Sequence, residues 1–138
     1  MPFYRIKTVE ISAHFDPLKD GWSGESISIE EVWAAIDEGA IENRNWNDAK
    51  YNFNGNSLES KAFHVNRIAT LYRSEIKDRI ILAIEPLDSA HNVRIHDGKH
   101  RFAAAVIRGD EFVDTGVLEE ECGDILKLFP SAVEMEEA

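Results

Sequence analysis

Cys122 is the only cysteine, so the chain forms no internal disulfide and a cysteine-rich metal site is excluded. The histidines His14, His64, His91, His96 and His100 follow no zinc-ligand spacing. No apolar run approaches the roughly 18 residues that suggest a membrane-spanning helix. The opening residues, Met1-Pro2-Phe3-Tyr4-Arg5, contain no apolar leader core. A cytoplasmic protein with no membrane partner is the expectation. Positive charge is also scarce: 15 Lys and Arg against 26 Asp and Glu give a formal charge of −11. Long DNA and anionic membranes are held by a positive field, so extended binding to either is not expected. Two phosphate-binding signatures are missing as well, the Gly-x-x-x-x-Gly-Lys-Ser/Thr loop and the three-glycine dinucleotide fingerprint.

What remains is an ordinary globular composition, 43% apolar and 30% charged, over 138 residues. That length predicts one domain, residues 1–138, with a hydrophobic core that needs no metal or disulfide. Residues 4–11 read as a strand of partial alternation. Ser28 with Glu31 three residues later makes a capping box, and Ile27 can staple onto Val32. The helix that follows presents Ile29, Val32, Trp33 and Ile36 on one face, with Trp33 read as core, and Gly39 ends it. Asn43 to Ser60 is rich in Asn and Gly and reads as a long loop. His64–Arg73 reads as a second helix with Val65, Ile68, Ala69 and Tyr72 as its apolar face. Arg79–Glu85 is a buried strand, Pro86–Ser89 a turn, and Asn92–His96 a strand with Val93 and Ile95 on one side. Residues 99–108 form an alanine-rich helix stopped by Gly109. A strand over Glu111–Val117 and a helix over Leu118–Phe129, ended by Pro130, follow. That last helix should carry Leu118, Cys122, Ile125, Leu126 and Phe129 on one side. Residues 131–138 read as an acidic flexible tail. Strands and helices in this order predict an α+β fold, a small mixed sheet with packed helices.

One segment carries chemistry. Between Gly109 and Ala138 there are ten acidic residues and one lysine, but Arg94 to Arg101 has three positive charges and one negative. There a buried strand meets Asp97-Gly98-Lys99-His100-Arg101 and turns at once into a helix. Gly98 permits a sharp bend and close approach of a ligand. The first-turn amides of the helix lack helical partners, and the helix end favours an anion. Arg101 can grip two phosphate oxygens, while Lys99 acts as a mobile point charge. His100 can donate to a phosphate or move a proton. Asp97 can cap the helix or accept a hydrogen bond from a ligand hydroxyl.

The run Ile95-His96-Asp97-Gly98-Lys99-His100-Arg101-Phe102-Ala103-Ala104-Ala105, then Gly109 and the strand Glu111–Val113, resembles the central motif of the ParB/sulfiredoxin-like superfamily. Val65-x-Arg67-Ile68-x-x-Leu71 ahead of the strand Arg79–Glu85 is similar too, so the resemblance covers residues 64–117. It implies a nucleotide-phosphate site on Gly98, His100 and Arg101, with Lys99 at the variable position and Arg67 nearby. ATP or CTP with Mg²⁺ is the implied ligand, and an NTP hydrolase or phosphotransferase is the implied enzymatic version. Sulfiredoxins carry their catalytic cysteine where this chain has Lys99, and Cys122 does not replace it, so sulfiredoxin chemistry is not expected. The partition proteins of the superfamily carry a DNA-binding helical domain after this motif. Here only about 20 residues follow it, acidic in net charge, so sequence-specific DNA partitioning is not expected either.

Three further features stay open. Glu85, ending a buried strand, is a candidate catalytic carboxylate beside His100, and Asp16, Asp20 and Glu25 are loop carboxylates that could approach a nucleotide-bound Mg²⁺. Trp22 and Trp46 could stack on a base or fold their own loops onto the domain. The alternative function is an acidic interaction module, in which the Leu118–Phe129 helix with Glu119, Glu120 and Glu121 docks on a basic partner without catalysis.

Overall fold

The computed structural model describes residues 1–19, 22, 26–53, 57–74, 78–87, 90–118 and 125–136, with backbone alone at 57, 85–87 and 90–92. Five strands, β1 (Phe3–Lys7), β2 (Ile80–Leu87), β3 (Ala90–Asp97), β4 (Phe112–Val117) and β5 (Val133–Met135), form one sheet in the order β3-β2-β4-β1-β5. All neighbours are antiparallel except β2 and β4, which run parallel. The helices among the described residues are α1 (Thr8–Ser12), α2 (Ile29–Asp37), α3 (Trp46–Ala49), α4 (Ser57–Tyr72), α5 (Lys99–Arg108) and α6 (Ile125–Leu128), with a 3-10 turn at Lys50–Asn52. The fold is therefore a small α+β domain with a mixed sheet.

Helix α5 is the hinge of the packing. Phe102 and Ala105 join the sheet-side core with Ile6, Leu82, Ile95 and Val117. Ala103, Ala104 and Ile107 join a second core with Val32, Ile68, Ala69 and the buried Trp22. A helix that is apolar on nearly every side belongs between two layers, and its alanines let both layers come close. Burying Phe102 completely stabilises the fold by about 1.5–3 kcal/mol. Arg108 locks the far end of α5 to α4, its Nη1 donating to the Leu71 and Tyr72 carbonyls at 3.2 and 3.1 Å while the guanidinium pairs with Asp110.

The locally encoded elements form as read. Ser28 and Glu31 make the reciprocal capping box, and Ile27 and Val32 share a core. Gly39 and Gly109 end their helices at φ 70° and 79°, in the left-handed region that glycine tolerates. Val93 and Ile95 are buried and Arg94 is exposed.

Several boundaries differ, each for a tertiary reason. The strand read to Ile11 stops at Lys7, because continued alternation would bury Glu10 and expose Ile11. A turn of helix places Thr8 and Ile11 inside together and leaves Val9 in solvent. The Asn-rich loop holds α3 and a 3-10 turn, folded over Ala49, Phe53, Phe63 and Trp46. Helix α4 begins at Ser57 rather than His64, with Ser60, Phe63 and His64 buried along one stripe that the polar composition masks. Trp33 is not core: it is 38% exposed and meets Tyr72 edge-on. Pro86 and Leu87, read as part of a turn, lie in β2, while Asp88 and Ser89 fall outside the described residues.

Of the helix read over Leu118–Phe129, Leu118 is not helical, its amide donating to the Leu82 carbonyl at 2.9 Å, and the helical part among the described residues is Ile125–Leu128. Ile125 and Phe129 are buried but Leu126 is exposed. Glu119, Glu120, Glu121 and Cys122 lie outside the described residues. The tail does not simply fray, since Val133–Met135 pairs antiparallel with β1 as the sheet's last strand. Ser131 pins the turn into it: its hydroxyl accepts from the Lys7 amide at 3.0 Å, and its amide donates to the Glu10 carboxylate at 2.9 Å.

Candidate functional site

Strand β3 ends at Asp97 and α5 starts two residues later, so the chain must reverse within Gly98. Gly98 does so at φ 97°, ψ 25°, and it is the residue that occupies the N-cap position. Its hypothetical Cβ would sit 3.4 Å from the Ile80 Cα and 3.5 Å from Arg101 Nη1, so the bend lies close against β2. Asp97 therefore does not cap the helix. It precedes the cap, is exposed, and no side chain caps this turn. Phe102 supplies the first helical amide, donating to the Gly98 carbonyl at 2.9 Å.

The bend opens on a cavity of about 340 Å³. Asp97, Gly98, Lys99, His100 and Arg101 line one side of it, and Arg67 reaches it from α4. Arg101 is not wholly free to grip a ligand: its Nη1 donates to the Arg79 carbonyl at 3.0 Å, so one arm of the guanidinium holds the bend to β2. Arg67 likewise donates through Nη1 to the Glu42 carbonyl at 3.0 Å. Among the described residues Lys99 has no ion-pair partner.

The remaining wall is aromatic. His64 on α4 and His100 on α5 meet through Nδ1 and Nε2 at 2.8 Å, with rings inclined by 24°. Trp22 packs on both, at 4.7 and 4.8 Å between ring centres, and Trp46 packs on His64 at 4.7 Å. The indole of Trp22 is itself held by donation to the Pro17 carbonyl at 3.0 Å. Burial, with the nearby Lys99 charge, pushes His64 down to about 4. Burial, then His64, Arg67, Lys99 and Arg101, pushes His100 down to about 3. Both rings are neutral at pH 7. His64 is 3% exposed, and among the described residues its Nε2 has no hydrogen-bond partner.

No family model, curated protein or solved structure matches the chain. The site is therefore read from its own geometry. Of the residues expected from sequence, Asp97, Gly98, Lys99, His100, Arg101 and Arg67 line one cavity. Glu85 lies elsewhere on the backbone: Ile81 pairs with Asp97, whereas Glu85 pairs with Asn92, roughly 13 Å further along β2 at the usual strand rise. Asp16 turns its carboxylate onto its own loop, accepting from the Leu18 amide at 2.9 Å. Asp20 and Glu25 fall outside the described residues.

Sequence reading missed His64, and no spacing could have found it, because 36 residues separate it from His100. Trp22 and Trp46 line the cavity, and Trp22 also folds its own loop onto the domain, buried in the second core with its indole on the Pro17 carbonyl. Among the described residues no three His, Cys, Asp or Glu side chains gather as a metal site. A second cavity of about 330 Å³ lies beyond Arg101, and its rim charges Arg5 with Asp114 and Arg108 with Asp110 are already paired.

Proposed function

We propose that the chain binds the phosphate groups of a nucleotide at the Gly98–Arg101 bend. The observation that carries this reading is the coincidence, in one cavity, of an uncapped helix start with Lys99, Arg67 and Arg101. Amides without helical partners and a positive helix end favour an oxyanion, and the cations supply the attraction that an acidic protein otherwise lacks. The resemblance of residues 64–117 to the ParB/sulfiredoxin-like superfamily supports the same ligand class. ATP or CTP would bring Mg²⁺ on its own phosphates, and no protein ligand for the ion is needed by this reading. Binding is favoured over turnover. A histidine pushed down to about 3 is a weak base at neutral pH, and Glu85 stands off along β2.

Calorimetry with ATP and with CTP, each at millimolar concentration with Mg²⁺, tests the reading. Saturable binding is expected, weakened about tenfold by Lys99→Ala, as for loss of one charge-assisted contact. Arg67→Ala should weaken it as well. Arg101→Ala is the less clean variant, because it also frees the Arg79 carbonyl. No binding of either nucleotide would overturn the reading.

A further inference from the structure

The contact between His64 and His100 fixes more than packing. Two neutral imidazoles meeting nitrogen to nitrogen share a single proton. If His100 donated, the His64 proton would sit on Nε2, a buried N–H with no acceptor among the described residues. Orphaned buried N–H groups are rarer than under-satisfied acceptors. If His64 donates through Nδ1, its Nε2 is only a bare lone pair. The His100 Nε2 is then the acceptor, and the His100 proton must sit on Nδ1. That atom is the one polar ring position left to His100, whose side chain lines the cavity with Lys99 and Arg67. In the reverse arrangement His100 Nδ1 would carry only a lone pair and could donate to no oxyanion.

We propose that His64 is a positioning residue that holds His100 in its Nδ1–H form and thereby gives the cavity a neutral hydrogen-bond donor for a phosphate oxygen. The inference rests on the nucleotide reading for the identity of the ligand, but not for the tautomer. Lys99, Arg101 and Arg67 face the pair from α5 and α4, so a neutral donor adds directionality without adding to an already positive cluster. Trp22 and Trp46, packed on the rings, keep His64 from rotating away.

The test uses the full chain. Long-range ¹H–¹⁵N spectra of the histidine rings at neutral pH, without nucleotide, are expected to show both His64 and His100 protonated on Nδ1 alone. A proton on His100 Nε2 would overturn the proposal. In calorimetry with ATP and Mg²⁺, His64→Phe removes the donor and should weaken binding about tenfold. His64→Asn, whose amide can place an N–H near the Nδ1 position, should restore most of it. Equal affinity of the folded His64→Phe variant and the unaltered chain would overturn the proposal, as would failure of His64→Asn to recover binding relative to Phe. If the Phe variant does not fold, the spectra and the Asn variant still decide. Should the unaltered chain bind no nucleotide, the functional reading fails, and the ring spectra alone then judge what His64 does to His100.

Discussion

Mild acid should destabilise this protein well above the pH at which its carboxylates titrate. His64 and His100 have ordinary values of 6.5 that the fold lowers to about 4 and about 3. The unfolded chain therefore binds protons below pH 6.5 that the native pair refuses. Stability is full above 6.5 and falls as pH drops from 6.5 towards the native values, the sign required when the unfolded state binds more protons. By pH 5 each ring contributes a loss of about 2 kcal/mol, roughly 1.4 kcal/mol for each unit below 6.5 less the rounding near it. The pair together costs about 4 kcal/mol, or about 2 if the native pair relaxes to accept one shared proton. Against a total of about 5–15 kcal/mol, that is a large fraction. Urea unfolding followed by tryptophan fluorescence at pH 7.5, 6.5, 5.5 and 5.0 measures it. Glu31 and Glu42, both lowered from 4.5 chiefly by their Lys61, Ser28 and Arg44 hydrogen bonds against the opposing effect of burial, lose their contribution only below 4.5, so they do not enter this window. The double variant His64→Asn with His100→Gln should flatten the dependence between pH 7 and 5. An unchanged urea midpoint across that range in the unaltered chain would refute the buried neutral pair.

Three further outcomes follow from the packing. Ser28→Ala removes the hydroxyl that accepts from the Glu31 amide at 3.1 Å and should cost about 1 kcal/mol in urea unfolding. Gly98→Ala should cost about 1–2 kcal/mol, mainly from the backbone held at φ 97°, since the added Cβ meets Ile80 only at ordinary contact distance. Leu82→Ala, at a fully buried position between β3 and β4, should cost about 2–5 kcal/mol and lower the thermal midpoint accordingly. A loss under about 1 kcal/mol there would mean that the sheet-side core collapses around the vacancy.

Local chemistry was legible in the sequence because its causes lie within a few residues. The capping box at Ser28, the left-handed glycines after α2 and α5, and the alternation of Val93 with Ile95 depend on side chain and backbone preferences at fixed short spacing. The bend at Gly98 and the cluster of cations around it were legible for the same reason. Tertiary packing decided what those groups do. It laid α4 against α5, so that His64 meets His100 across 36 residues, and it brought Trp22 and Trp46 onto the pair. It put Gly98 rather than Asp97 at the N-cap, spent one arm of Arg101 on β2, and set Glu85 away along the strand. It also turned the chain into α1 after Lys7 and drew residues 133–135 onto the open edge of β1. Periodicity and capping record what a segment prefers alone, whereas burial and strand pairing are settled by surfaces that distant segments supply.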